Sequence, residues 1–534
     1  MPSGSPGRIL LLMGAIVQSS FLNLISRGKK YRLHSTLCDV SRRKFKRIML
    51  FWLVLFVITI VASSCTKSTE SEKGIISGSI HLDGETDHSG IFISIYHGDI
   101  IPEELSRINN TYPQLAFPIE DKHIFDHRAY TPIQIVQTDQ IGRFETTPLD
   151  FGKYIICYYK EGWGYNIIYD IDHHSGETNI DTGSKVSNHI LYSDVQVPPV
   201  VSGEYRLLTG HSYVIAQNTI AIEGSSVILE PGSKLLLKAG TNLSCHGSFF
   251  TQNDQDYAMI SSYDMIYSPG NKPAALGSSI KIYNQSPILS SLIISFLSDG
   301  LDIRCNDQLL ENIAMCYNAT SMVTSQTSNV GLRNSLIFRN TPDGQAAVYV
   351  SGASEFETNN CLFFENQVSL KNKAISTMRV SSCYFYGDAI SVENSVDSSL
   401  LMMQSEIDNN GIGVDNTANS NIELRYNTIS SRICLNNWRY PDHGSSAEHG
   451  WIKGANNNFE ASRYAIESRA YYYNAGGDVA MDFRNNYWGA TSAESIANLI
   501  IDGLDLGEPA GNYHYSIIDF SAFKHNPIAN AGLE

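Results

Sequence analysis

The chain has 534 residues, more than one domain usually needs, and only 17% of them are charged, against roughly 25% in typical soluble domains. With its abundant Asn, Ser, Thr and Gly, that composition excludes a protein of long charged helices and favours many short strands joined by turns. The formal net charge of −16 is unevenly placed: residues 1–64 hold 10 of the 38 Lys and Arg but 1 of the 54 Asp and Glu, leaving a body of 28 basic and 53 acidic residues. A body with a balance of −25 excludes nucleic acid as a partner, because the phosphate backbone would be repelled.

The first segment reads as an address. Arg42, Arg43, Lys44, Lys46 and Arg47 precede an apolar stretch of 15 residues from Ile48 to Ala62, followed by Ser63, Ser64 and Cys65. Basic, then apolar, then small is the layout of a secretory signal, and the stretch is shorter than the about 20 residues that span a bilayer. Ala62-Ser63-Ser64-Cys65 resembles a lipobox, which implies lipidation of Cys65, a membrane partner through that anchor, and an outer-membrane location at the cell surface. Residues 1–64 are therefore assigned to the signal region, with 1–40 as a mis-called start, and 65–73 to a lipidated tether.

Residues 74–197 read as a small β-sandwich. Ile91, Ile93 and Ile95 alternate with polar residues, and Asp83-Gly84 and Ile141-Gly142 mark turns. Thr138-Asp139, Gly142, Phe144, Pro148, Gly152-Lys153-Tyr154 and Gly162-Trp163 together resemble the carboxypeptidase-regulatory-like family. That resemblance implies a transthyretin-like sandwich serving as a spacer or docking module, interrupted by an insertion over Asp99–Arg128.

From 198 to 534 a repeat dominates. Apolar anchors at Ile293, Met315, Ile337, Phe363, Phe385, Ile407, Ile429, Phe459 and Trp488 are separated by 22, 22, 26, 22, 22, 22, 30 and 29 residues. Asn312, Asn334, Asn360, Asn456 and Asn485 stand three before their anchors, and Asn318, Asn340, Asn366 and Asn410 three after. A period in the low twenties without regular leucines predicts coils of a β-helix, with Asn at corners that need left-handed backbone. Val227-Ile228-Leu229-Glu230-Pro231-Gly232 and Asn485-Asn486-Tyr487-Trp488-Gly489 resemble the opening and closing coils of the right-handed parallel β-helix (pectate-lyase-like) superfamily. The expected fold is thus all-β: a right-handed parallel β-helix, capped by Val200–Tyr213 and Ser492–Phe523, behind a small transthyretin-like β-sandwich. The layout also resembles that of Bacteroidetes-type surface lipoproteins. Cys157, Cys245, Cys305, Cys316, Cys361, Cys383 and Cys434 are scattered without a CxxC, so they read as buried thiols rather than metal ligands or a disulfide framework.

The step of 30 contains eight extra residues within Trp438–Trp451, and long loops are where such folds place sites. Trp438, Arg439, Tyr440, Trp451 and Lys453 are the expected binding residues, because flat rings stack on sugars and cations meet uronates. Asp442 and Glu448 form a candidate acid/base pair, and His443 and His449 a candidate metal pair. Tyr471-Tyr472-Tyr473 reads as an outward-facing strand end. The Asp, His and Arg motifs of polygalacturonases are absent, and no cofactor is expected, calcium having no motif. The expected partner is an extracellular polysaccharide contacted without catalysis. A polysaccharide lyase or hydrolase, and an adhesive stalk that binds protein, are the alternatives.

Overall fold

The computed structural model describes residues 72–534, apart from 183–188, 253–255, 272–276, 285–287, 326–327, 341–345, 439–449, 474–476, 508–512 and 534. The signal segment, Cys38, Cys65 and the tether through 71 lie outside the described residues, as do Arg439, Tyr440, Asp442, His443, Glu448 and His449. Among the described residues no helix is long and apolar enough to cross a membrane.

The sandwich is present. One sheet pairs Lys73–Ser79 with Arg143–Glu145, Leu149–Asp150 and Glu177–Asn179. The other is antiparallel, in the order Gln134–Gln137, Phe92–His97, Gly152–Tyr159, Tyr165–His173. Ile91, Ile93, Ile95, Phe144, Tyr154 and Ile156 fill the space between them. The Asp139–Gly142 turn forms as its residues require: Asp139 Oδ1 accepts the Arg143 amide at 2.8 Å, and Gly142 has φ +84°, where a Cβ would run into the Ile80 carbonyl. The insertion folds into helix α1 (Glu103–Thr111) and helix α2 (Asp121–Ile124).

Behind it rises a right-handed parallel β-helix of about 10 turns. Parallel pairing begins at Val195–Gln196, just ahead of position 198, and each central coil contributes to three faces. Face A contains Ala258–Ser262, Leu336–Phe338, Leu362–Phe364, Tyr384–Tyr386 and Glu406–Asp408. Face B contains Leu301–Ile303, Val348–Val350, Val368–Lys373, Ile390–Ser395 and Ile412–Thr417, and face C contains Glu355–Asn359, Thr377–Ser381, Ser399–Met403, Asn421–Arg425 and Ile452–Ala455.

The expected anchors form one inward column on face A: Met315, Ile337, Phe363, Phe385, Ile407, Ile429 and Phe459 pair in register. Ile294, not Ile293, pairs with Met315; Ile293 pairs with Ala314 and turns outward. The rings of Phe363 and Phe385 stack at 4.6 Å and 7°, a geometry worth about 1 kcal/mol beyond burial.

The corners explain the asparagines. Asn312, Asn334, Asn360, Asn456 and Asn485 all have φ between 47° and 62°, where Asn is the non-glycine residue with least strain. A second set points inward: Asn318, Asn340 and Asn366 hand hydrogen bonds from coil to coil, Nδ2 to Oδ1, at 3.0–3.2 Å. Asn372, Asn394, Asn416 and Asn437 do the same beneath face B, each at 2.9 Å. Asn410 does not join them. It is exposed, and Asn409 takes the inward place, donating to Ser391 Oγ at 2.8 Å. Past the last coils, Tyr513–Asp519 pairs with Tyr471–Tyr473 and Val479–Asp482 and closes the end of the stack.

The sandwich lies along the β-helix. The middle strands of its second sheet, Phe92–His97 and Gly152–Tyr159, are buried on both sides over most of their length, which accounts for the unbroken apolar run Ile155–Tyr159. Tyr96, Ile155, Cys157 and Tyr165, with Leu105 and Ile108 of α1, pack onto the outward side of face A, against Met259, Leu336, Phe338, Leu362 and Phe364. Arg128 fastens the joint. Fully buried, it pairs with Asp126 at 2.7 Å and donates to the Ser262 carbonyl at 2.6 Å. Burial alone would raise the Asp126 carboxyl, but the Arg128 guanidinium overrides it and holds it at about 2. Further along, the Ala116 amide bonds the Asn360 carbonyl at 2.8 Å and Tyr112 donates to Glu406 at 2.8 Å.

The C-terminal tail approaches the same face from the other end. Ile528 and Asn458 exchange hydrogen bonds at 2.8 and 3.1 Å, and the Gly532 amide bonds the Tyr426 carbonyl at 2.8 Å. A Cβ on Gly532 would stand 3.5 Å from Glu406, so the two covers meet there. Face A is closed. Among the described residues nothing packs over faces B and C as the sandwich does over face A.

Candidate functional site

A strand presents alternate residues outward, and parallel stacking carries each outward position into the next coil. On face B one such column runs Lys371, Glu393, Asp415, Asn436, Glu467. Its inward neighbours are the apolar column Leu370, Val392, Val414, Leu435, Ile466 on one side and the buried Asn ladder on the other, so these side chains have only the outer surface to occupy.

The column is internally paired. Lys371 Nζ lies 2.9 Å from Glu393 Oε1, with 19% and 18% of the two side chains exposed. Asn436 Nδ2 donates to Asp415 Oδ1 at 2.8 Å, and Arg469 Nε lies 3.0 Å from Glu467 Oε1. Burial raises the Asp415 carboxyl above its ordinary value and the Glu393 charge adds to this, against the Asn436 hydrogen bond and Lys371.

Two residues further along each strand, Thr417, Trp438 and Arg469 pair across coils. Trp438 is 38% exposed, with the Arg469 guanidinium 5.9 Å from its ring centre. Face B therefore offers a flat ring, a cation and a carboxylate side by side. The chain then leaves the described residues at 439 and returns at Gly450 on the edge of face C. The Gly450 and Trp451 amides donate to Asn421 Oδ1 at 2.9 and 3.1 Å, and the Gly450 carbonyl accepts the Tyr472 hydroxyl.

The expected binding residues are thus divided by one corner: Trp438 on face B, Trp451 and Lys453 on face C. Trp451 is half-buried against the core, with Lys453 Nζ 4.7 Å from its ring centre. Lys453 is also 3.0 Å from Glu423, which binds Arg425 as well. Burial would raise the Glu423 carboxyl, but hydrogen bonds from Lys453 and Arg425 outweigh it and leave it lowered. Lys453 is therefore a paired cation. The outward-facing strand end expected at 471–473 is corrected at its centre: Tyr471 packs on Tyr515 at 4.7 Å, but Tyr472 is buried. Among the described residues no three His, Cys, Asp or Glu side chains converge as a metal site, and the seven described thiols are free and buried.

Lys371, Glu393, Asp415, Glu467 and Arg469 are not among the site residues expected from sequence. The signal was there, because Lys371, Glu393 and Asp415 are spaced by the same 22 residues as the anchors.

In comparisons with known proteins, no family model, no curated protein and no solved structure matches the chain.

Proposed function

We propose that the protein is a lipoprotein anchored through Cys65 at the outer surface of an outer membrane, and that its β-helix contacts extracellular glycan without turning it over. The resemblance to pectate-lyase-like β-helices and to Bacteroidetes-type lipoproteins supports this reading. The observation that carries it is on face B. With face A closed, an exposed Trp438 stands beside Arg469 and Glu467 at the end of a polar column five coils long, and at the mouth of the extended loop. An indole face stacks on a sugar ring while charged groups hydrogen-bond hydroxyls or meet a uronate.

The test is a glycan-array screen of the chain beside Trp438→Ala. Trp438 is the informative substitution because it is exposed, whereas loss of Trp451 would also remove packing against the core. Retention of one glycan class, weakened at least about tenfold in the variant as expected for an aromatic anchor, supports the reading. No retention of any glycan sinks it and favours a stalk that binds protein.

A second reading, glycoside hydrolysis, is favoured by one observation: Glu393, paired with Lys371, stands one coil from Asp415, whose carboxyl is raised by burial. Release of reducing ends from a bound glycan, abolished by both Glu393→Gln and Asp415→Asn, would establish it. Retention with no release leaves the binding reading in place.

A further inference from the structure

A pocket of about 410 Å³ opens at the seam between the sandwich, the insertion and the first coils. Lys234, Met259 and Ile293 of face A form its floor, and Asn166, Tyr169 and Tyr257 its walls. Concave pockets of this size, where apolar and polar side chains converge, are where small molecules bind.

Lys234 is the unusual member. It sits at the start of a strand whose Leu235 and Leu237 point into the core, and it is only 6% exposed. Its Nζ lies 3.4 Å from Asn166 Oδ1 and 5.3 Å from the centre of the Tyr165 ring, and among the described residues no carboxylate reaches it as an ion-pair partner. Arg128, buried in the same seam, has its own carboxylate at 2.7 Å. An ammonium taken out of water without a counter-charge is costly, and burial pushes the Lys234 ammonium down to about 8.

A second donor stands behind the same wall. His123 packs on Tyr257 with ring centres 4.6 Å apart, and its Nδ1 accepts the Glu120 amide at 2.9 Å. That bond leaves the proton on Nε2, which is buried with no hydrogen-bond partner. Other charges limit what can enter. Lys122, on the pocket wall, is held by Glu120 at 3.0 Å, and Asp256 lies on the exposed edge. One unpaired positive charge, with a carboxylate nearby, suits a monoanion and disfavours a phosphate dianion.

We propose that this pocket binds a small organic acid, its carboxylate paired with Lys234 Nζ and its apolar body lying against Tyr257, Met259 and Ile293. An occupant would touch the sandwich and the β-helix at once, so it would stabilise the joint between them. This site lies on the covered face and does not depend on glycan binding at face B.

The full-length chain is titrated calorimetrically with acetate, benzoate and glucuronate, and with benzamide as the neutral counterpart of benzoate. At least one acid should bind one-to-one and raise the melting temperature, while benzamide does neither. The groups facing Nζ are Asp256 from the β-helix, Cys157, Tyr165 and Tyr169 from the sandwich, and Lys122 from the insertion. A bound carboxylate raises the Lys234 ammonium, so affinity should be flat between about pH 6 and pH 7, where the acid is ionised and Lys234 charged, and fall about tenfold per unit above pH 8. Lys234→Met should weaken binding at least tenfold. Independently of that variant's folding, acylation of Lys234 in the wild type, followed by mass spectrometry, should slow with the acid and not with benzamide. Failure of all three acids to bind, equal binding of benzamide, or unchanged acylation of Lys234 would overturn the proposal.

Discussion

Asp388 breaks the inward ladder of Asn318, Asn340 and Asn366. Its carboxylate accepts the Asn366 amide at 2.9 Å and the Ser369 hydroxyl at 2.7 Å, but it has no N–H to pass on. Burial pushes its carboxyl up to about 7, against those hydrogen bonds. An acid raised in the folded state contributes most below its unfolded pKa, and that contribution is lost as pH climbs through the folded one. Stability should therefore fall between about pH 4 and pH 7, and Asp388→Asn should flatten that slope and stabilise the protein at pH 8 by about 1–3 kcal/mol. Chemical denaturation at pH 5 and pH 8 checks both. The corner asparagines were readable from sequence because left-handed backbone restricts the residue type. The inward phase was not readable where like residues stand in tandem. Ile293-Ile294 and Asn409-Asn410 fit either face equally well in sequence, and only pairing separates them.

Face A changes character along its length. Its outward pairs are Leu336 with Phe338, Leu362 with Phe364 and Tyr384 with Tyr386 beneath the insertion, then Glu406 with Asp408 and Thr428 with Ser430 where the insertion ends. Arg128→Ala would leave Asp126 buried and unpaired, at a cost of about 3–5 kcal/mol. Dye binding to exposed apolar surface and proteolysis within 99–128 should both rise. Removing 528–534, by contrast, uncovers mainly polar residues and should lower the melting temperature by only a few degrees with no gain in dye binding. Resemblance to a spacer or docking domain describes the sandwich itself and not what it touches. The available clue was the run Ile155–Tyr159, too continuous for a sheet with one wet side.

At the scale of the whole chain, stability resides in contacts between neighbouring coils. Duplicating residues 399–420 should therefore give a folded, soluble protein with a melting temperature within a few degrees of the parent. The copied outward pair, Glu406 and Asp408, tolerates water, and each column keeps its register. Duplicating only 399–409 should not, since it shifts every face out of phase; circular dichroism distinguishes the two. The fold was legible because a 22-residue period leaves little choice of architecture. The candidate site was legible only in part: loop length pointed to Trp438, while the polar column on face B needed the period to be followed on outward positions as well as inward ones.

The bond between Tyr112 and Glu406 joins residues 294 apart, which has a consequence for how the protein is made. When the sandwich first emerges during synthesis, the coils that will shelter Tyr96, Ile155 and Cys157 do not yet exist. At about 5–20 residues per second, that apolar sheet waits tens of seconds for its partner. The nascent chain is thus most vulnerable to association midway through its production, and it becomes safe only once the residues near 386 have arrived.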